Sequence, residues 1–112
     1  MMDLKLNRDV GILHIEGDIV FENSNPAKEE AKDKLRQAEV DKLVLDMSDV
    51  SYLDSSGIGF VITLFKFIRE KNGELVLTNM NDKVKRVCEL TKLGEIIDIY
   101  DSNDEAIEEL IN

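Results

Sequence analysis

Leu43-Val44-Leu45-Asp46-Met47-Ser48-Asp49-Val50-Ser51-Tyr52-Leu53-Asp54-Ser55-Ser56-Gly57-Ile58-Gly59 is the stretch whose reading decides the fold. Its first part, Lys42 to Met47, is a short apolar run closed by polar turn residues, the pattern of a central strand buried on both faces. Its last part, Asp54-Ser55-Ser56-Gly57, opens an apolar helix predicted over 55–71. A hydroxyl there stands beside unpaired backbone N–H groups and the positive end of a helix dipole, where an attached phosphate is stabilised. The same four residues also fit an ordinary cap, in which Asp54 or Ser55 accepts N–H bonds and the glycines let helix and strand approach closely. Spacing alone favours the cap.

Outward from this stretch, strands and helices alternate. Leu4-Lys5-Leu6 and 11–17 are β-prone runs separated by Asn7-Arg8-Asp9, which predicts an edge hairpin. From Pro26 to Ala38 the chain is rich in helix formers, with Ala27, Ala31, Leu35 and Ala38 on one stripe. Ser24 or Asn25 is the expected cap, with Pro26 in the first helical position, and 21–25 is a loop of open register. In the 55–71 helix, Ile58, Val61, Ile62, Phe65 and Ile68 form one apolar stripe, and Phe60, Leu64 and Phe67 a second. The second stripe suits packing against a neighbouring helix or, less economically, a partner surface. Gly73 is the expected left-handed residue that ends this helix. Glu74 to Thr78 and Ile96 to Tyr100 read as further strands, and Asp82 to Leu90 and Asp104 to Ile111 as further helices. The expected class is α/β: a mixed, mostly parallel sheet of about five strands with an N-terminal edge hairpin and about four helices.

Composition narrows the function. The 112 residues are expected to form one domain over 1–112, and 43% hydrophobic content supplies a single core. A net charge of −10 repels nucleic acid and anionic membranes and suits a basic protein partner. One cysteine, Cys88, allows neither an intrachain disulfide nor a multi-thiolate metal site, which fits a cytoplasmic protein. No apolar leader or run of roughly 20 apolar residues is present, so neither export nor membrane insertion is expected.

Enzymatic readings are weak, and no catalytic residue, cofactor or metal is expected. The single histidine, His14, lies mid-strand and reads as a satisfied or surface group rather than a base. Leu53 stands where a nucleophile elbow requires glycine before Ser55, and no Walker A run or complete dinucleotide fingerprint occurs. Asp46, Asp49 and Asp54 fit turn formation and capping better than magnesium binding. Cys88 reads as a small buried residue.

The opening stretch closely resembles the signature of the STAS domain, specifically that of bacterial anti-sigma factor antagonists. The resemblance extends through Gly17-Asp18, Asn72 to Leu77, Val84 to Val87 and Leu90 to Gly94 in the family's order and spacing, and so covers essentially the whole chain. It implies that Ser55 is the phosphoacceptor, with Asp18, Asp54, Ser56, Gly57 and Ile58 as the partner-binding neighbourhood. The implied partners are an anti-sigma factor serine kinase, which supplies ATP and catalysis, and a serine phosphatase. In this scheme the unphosphorylated protein, a monomer, binds the anti-sigma factor and releases a sigma factor, and phosphorylation abolishes binding. The alternative is a non-switching STAS scaffold of a stress-signalling or lipid-transport complex, with Ser55 only a cap. The chain departs from the family where an aspartate is usual, at Val20, and where a threonine-alanine pair is usual, at Asn23-Ser24.

Overall fold

The computed structural model describes residues 2–112. A two-residue turn in which Arg8 and Asp9 both take positive φ (55° and 70°) joins β1 (Met2–Asn7) to β2 (Val10–Ile15) as an antiparallel hairpin. The chain then alternates through α1 (Ser24–Ala38), β3 (Lys42–Asp46), α2 (Ser55–Arg69), β4 (Glu74–Thr78), α3 (Asp82–Leu90), a short 3-10 turn (Leu93–Glu95), β5 (Ile99–Tyr100) and α4 (Asn103–Ile111). Strand order is β1-β2-β3-β4-β5, parallel from β2 onward. The α/β class, the edge hairpin and the five strands with four helices are as the sequence predicts.

Alternation within β3 divides the core. Leu43 and Leu45 join the larger cluster with Ala27, Ala31 and Leu35 of α1, Phe60, Val61, Leu64 and Ile68 of α2, and Val84 and Cys88 of α3. Val44, one residue away and on the opposite face, joins Val10, Val76 and the α4 residues Ala106, Ile107 and Leu110. Successive crossovers thus cover one face with three helices, and α4 alone covers the other.

Four local expectations are corrected. Helix α1 begins at Ser24, two residues before Pro26, with Asn23 as N-cap and no side-chain cap bond. The Asn23 amide instead accepts from Val20 N–H (2.8 Å) and donates to the Asp18 carbonyl (3.1 Å), bracing the preceding turn. Pro26 is tolerated as the third helical residue because a first-turn N–H has no intrahelical acceptor. Helix α2 stops at Arg69, and the left-handed residue after it is Asn72 (φ 61°), not Gly73. Glycine is still required at 73, since a Cβ there would lie 2.1 Å from the Asp41 carbonyl oxygen, which accepts from Glu74 N–H. Strand β5 is only Ile99–Tyr100, because the Ile96 and Ile97 N–H groups are spent on the Leu93 carbonyl. The two predicted stripes of α2 are also divided differently: Phe60, Val61, Leu64 and Ile68 are buried, while Ile58, Ile62, Phe65 and Phe67 lie at the margins of the core. Phe67 is covered by the cations of Arg36, from α1, and Lys71 at 5.2 and 4.6 Å, so that margin meets the neighbouring helix.

Candidate functional site

The carboxyl ends of β2 and β3 release the two loops that frame the start of α2. Asp54 is its N-cap, with extended backbone, and its Oδ1 accepts from the N–H groups of Ser56 (2.9 Å) and Gly57 (3.1 Å). The Ile58 N–H reaches the Asp54 carbonyl at 3.0 Å. Both cap residues proposed by spacing are therefore resolved: the aspartate caps, and Ser55 takes the first helical position. Ser55 is exposed, and its hydroxyl has no hydrogen-bond partner among the described residues. Of the first three helical N–H groups, only that of Ser55 is not claimed by Asp54.

Gly57 is buried under the β2–α1 loop. A Cβ there would lie 3.4 Å from the Ile19 carbonyl and 2.7 Å from Leu53 Cδ2, so close approach is a requirement at this glycine. Gly59 faces open space, and the expectation of close packing does not hold there.

The loop between β3 and α2 is held by long-range polar contacts. The Asp18 carboxylate accepts from Ser51 N–H (2.7 Å) and the Ser51 hydroxyl (2.5 Å), joining the β2–α1 loop to the β3–α2 loop. Partial burial pushes the Asp18 carboxyl up, but these bonds and one from Tyr52 N–H outweigh it and hold it below the usual carboxylate range. Asn81, the N-cap of α3, donates to the carbonyls of Val50 (3.2 Å) and Ser51 (3.0 Å). His14 bridges two carboxylates, with Nε2 2.7 Å from Asp49 Oδ2 and Nδ1 3.3 Å from Asp46 Oδ2. The Asp49 hydrogen bond is the main reason the imidazole is shifted above its ordinary value, against a smaller opposing effect of burial. Asp46 is buried, which alone raises its carboxyl. Donation from Asn103, Asn79, Ser48 N–H and His14 more than compensates and sets it at about 2.

The structure thus brings Asp18, Asp54, Ser55, Ser56 and Gly57 into one framework, with Ile58 at the margin of the core one turn below. Asp18 is engaged internally as a brace. Val20 is half-buried in the turn that Asn23 closes, and the adjacent Glu22 is exposed. Sequence reading missed the roles of Asn79, Asn81 and Asn103, since each is an ordinary polar residue at a helix start or turn. It treated Asp46 and Asp49 as turn formers, which Asp46 partly is through its bond to Ser48 N–H at 3.0 Å. Their convergence on His14 has no local signature. No group of three or more side chains suited to holding a metal occurs among the described residues.

Comparison with known proteins agrees with this architecture. The STAS domain family model matches residues 1–106. The chain is 34% identical over 110 residues to a Thermotoga maritima protein named a candidate anti-sigma factor antagonist, covering 98% of this chain and 97% of that one. A crystal structure so named, from the same organism, superposes with a TM-score of 0.92 at 33% identity, covering 99% of this chain and 95% of that chain. The anti-sigma-B factor antagonist of Bacillus subtilis is 34% identical over 99 residues, 88% of each chain. SpoIIAA shares the fold in its unphosphorylated form (20% identity, TM-score 0.78, 97% and 95% coverage) and its phosphorylated form (19%, 0.71, 97% and 98%).

Proposed function

From the premise that this chain belongs to the STAS domain family, with relatives that are anti-sigma factor antagonists, we propose that it works as a partner switch whose state is set at Ser55. The unphosphorylated chain binds an anti-sigma factor serine kinase and so frees a sigma factor. Phosphorylation of Ser55 ends that complex, and a serine phosphatase restores it. The chain acts in the cytoplasm as a monomer and contributes the hydroxyl, while the kinase contributes ATP and catalysis.

One observation carries this reading: Ser55 is exposed at the first position of α2, with its hydroxyl uncommitted, between loops fixed by Asp18, Asn81 and His14. A phosphate adds about −1.5 to −2 charges at pH 7. Because Asp54 already uses two of the helix-start N–H groups, the new dianion competes with a neighbouring carboxylate for them and has the Ser55 N–H and the helix dipole as its remaining support. The extra charge therefore acts outward, repelling acidic groups of a bound partner and filling the space that close docking needs. Asp18, Ser56, Gly57 and Ile58 belong to the docking neighbourhood, Asp18 by holding the loops and Gly57 by letting them sit against α2.

Incubation with ATP and an anti-sigma factor serine kinase from the same genome, followed by mass spectrometry, tests the assignment. The expected result is one phosphate on Ser55, none on Ser55→Ala, persistent kinase binding by Ser55→Ala and loss of binding by Ser55→Asp. Stoichiometric phosphorylation of Ser55→Ala would overturn it, and binding without any phosphorylation would return the chain to the non-switching scaffold reading.

A further inference from the structure

The chain has six aromatic residues, and only two of them, Phe21 and Tyr52, are exposed. Phe60 is buried, and Phe65, Phe67 and Tyr100 are partly covered. Both exposed rings stand on the two loops that frame Ser55. Phe21 is 81% exposed at the tip of the β2–α1 loop, and Tyr52, 45% exposed, lies three residues before Ser55.

Neither ring sits on slack chain. The Phe21 turn is closed on both sides by Asn23, through Val20 N–H to Asn23 Oδ1 (2.8 Å) and Asn23 N–H to the Val20 carbonyl (3.2 Å). The Phe21 carbonyl also accepts from the Ser24 hydroxyl at 3.4 Å. Asp18 ties that loop to Ser51, the residue before Tyr52, so one carboxylate fixes the two aromatic positions relative to each other. The contact of Gly57 with the Ile19 carbonyl then fixes both relative to the start of α2. An aromatic ring held in water by a preordered turn gains its full apolar burial on docking and loses little conformational freedom, the condition under which a side chain dominates an interface.

Charge identifies the kind of surface that fits. Residues 16–25 and 48–59 carry Glu16, Asp18, Glu22, Asp49 and Asp54 and not one Lys or Arg. A site reading only the Ser55 hydroxyl needs no aromatic flank. We propose that Phe21 and Tyr52 are the anchor residues by which this chain selects its kinase, inserting into an apolar depression rimmed by Lys and Arg on the kinase surface. This rests on the partner-switching reading above and assigns its specificity to residues outside the phosphoacceptor motif.

The test is the affinity of the full chain for an anti-sigma factor serine kinase from the same genome, by calorimetry, with unfolding midpoints recorded for every variant. Phe21→Ala and Tyr52→Ala are each expected to weaken binding by about 30-fold with unchanged unfolding midpoints. Phe21→Tyr is expected to restore binding, and Leu90→Ala, which removes an exposed apolar side chain from α3, to leave it unchanged. Glu22→Lys is expected to weaken binding less, mainly through slower association that added salt masks. If the unaltered chain binds and both alanine variants bind within about threefold of it, the anchor assignment is overturned while the switch stands. If Leu90→Ala weakens binding as much as Phe21→Ala, the assignment is also overturned. If the unaltered chain fails to bind, the partner-switching reading itself falls.

Discussion

The two ends of α2 use the same device for opposite purposes. At each end a glycine lies against a backbone carbonyl: Gly57 beneath Ile19 at the start, and Gly73 beneath Asp41 after the last turn. At Gly73 a Cβ would fall 2.1 Å from that oxygen and 2.9 Å from its carbon, and the carbonyl is already committed to Glu74 N–H at the edge of the β3–β4 ladder. Nothing there can move without unpairing the sheet. At Gly57 the tightest contact is the end of the Leu53 side chain, and the carbonyl stands off at 3.4 Å. The far end is fixed by backbone packing, whereas the start is fixed by side-chain hydrogen bonds and leaves an uncommitted hydroxyl in water. The proposed switch at Ser55 thus lies at the end that tolerates adjustment.

Gly73→Ala therefore has the largest expected effect on stability, about 3 kcal/mol or more, because the added atom meets backbone rather than a rotatable side chain. Urea unfolding with an unchanged m-value checks it, and a loss under about 1 kcal/mol would break the contrast between the two ends. Asp46→Ala comes next, at about 2 kcal/mol, since it leaves the donors of Asn103 and Ser48 without their acceptor and removes the nearer of the two acceptors of Asn79 in a largely buried setting. Gly57→Ala is expected to cost about 1 kcal/mol, within reach of a Leu53 rotamer change, and to weaken kinase binding by more than its stability loss explains. Asp54→Ala removes the cap at about 1 kcal/mol, measured by the same urea series, and is expected to leave the sheet intact.

The smallest effect is on pH dependence. His14 titrates above 6.5 in the folded chain, so the stability it lends is complete below 6.5 and is lost as pH rises through the raised value. Asp46 titrates at about 2 against an ordinary 3.8, so its contribution is present above about 4 and is lost as pH falls toward 2. Unfolding midpoints from pH 5 to 9 are expected to decline on the alkaline side, with the decline reduced in His14→Gln. An identical profile in that variant would remove His14 from the support of the β3–α2 loop.

Much of the fold is legible because its signals are local. The apolar run at Leu43 to Leu45, the 3.6-residue spacing of Ala27, Ala31 and Leu35, and the aspartate cap of α2 each act over a few residues. Errors fall where a distant partner overrides that logic. Asn23 leaves the helix it precedes uncapped because its amide serves Asp18 and Val20. Gly73 serves a carbonyl 32 residues earlier rather than a left-handed turn, and Ile96 and Ile97 are drawn out of strand β5 by the turn at Leu93. At the candidate site, the motif around Ser55 is readable as contiguous residues, while the reach of Asn81 and Asn103 into that end of the sheet is not.

By itself the sequence determined the strand and helix order, the capped start of α2 and the family signature centred on Ser55, because periodicity and capping are properties of short segments. Only the tertiary structure decided that Asp18 binds Ser51, that His14 bridges Asp46 and Asp49, and that Phe21 and Tyr52 are the aromatics left in water on the two loops before α1 and α2. Those pairs lie more than 30 residues apart in the chain, and parallel strand pairing brings them together. Contacts of that span depend on which strands pair and in what register, which the burial of whole apolar faces fixes rather than any pattern within a few residues.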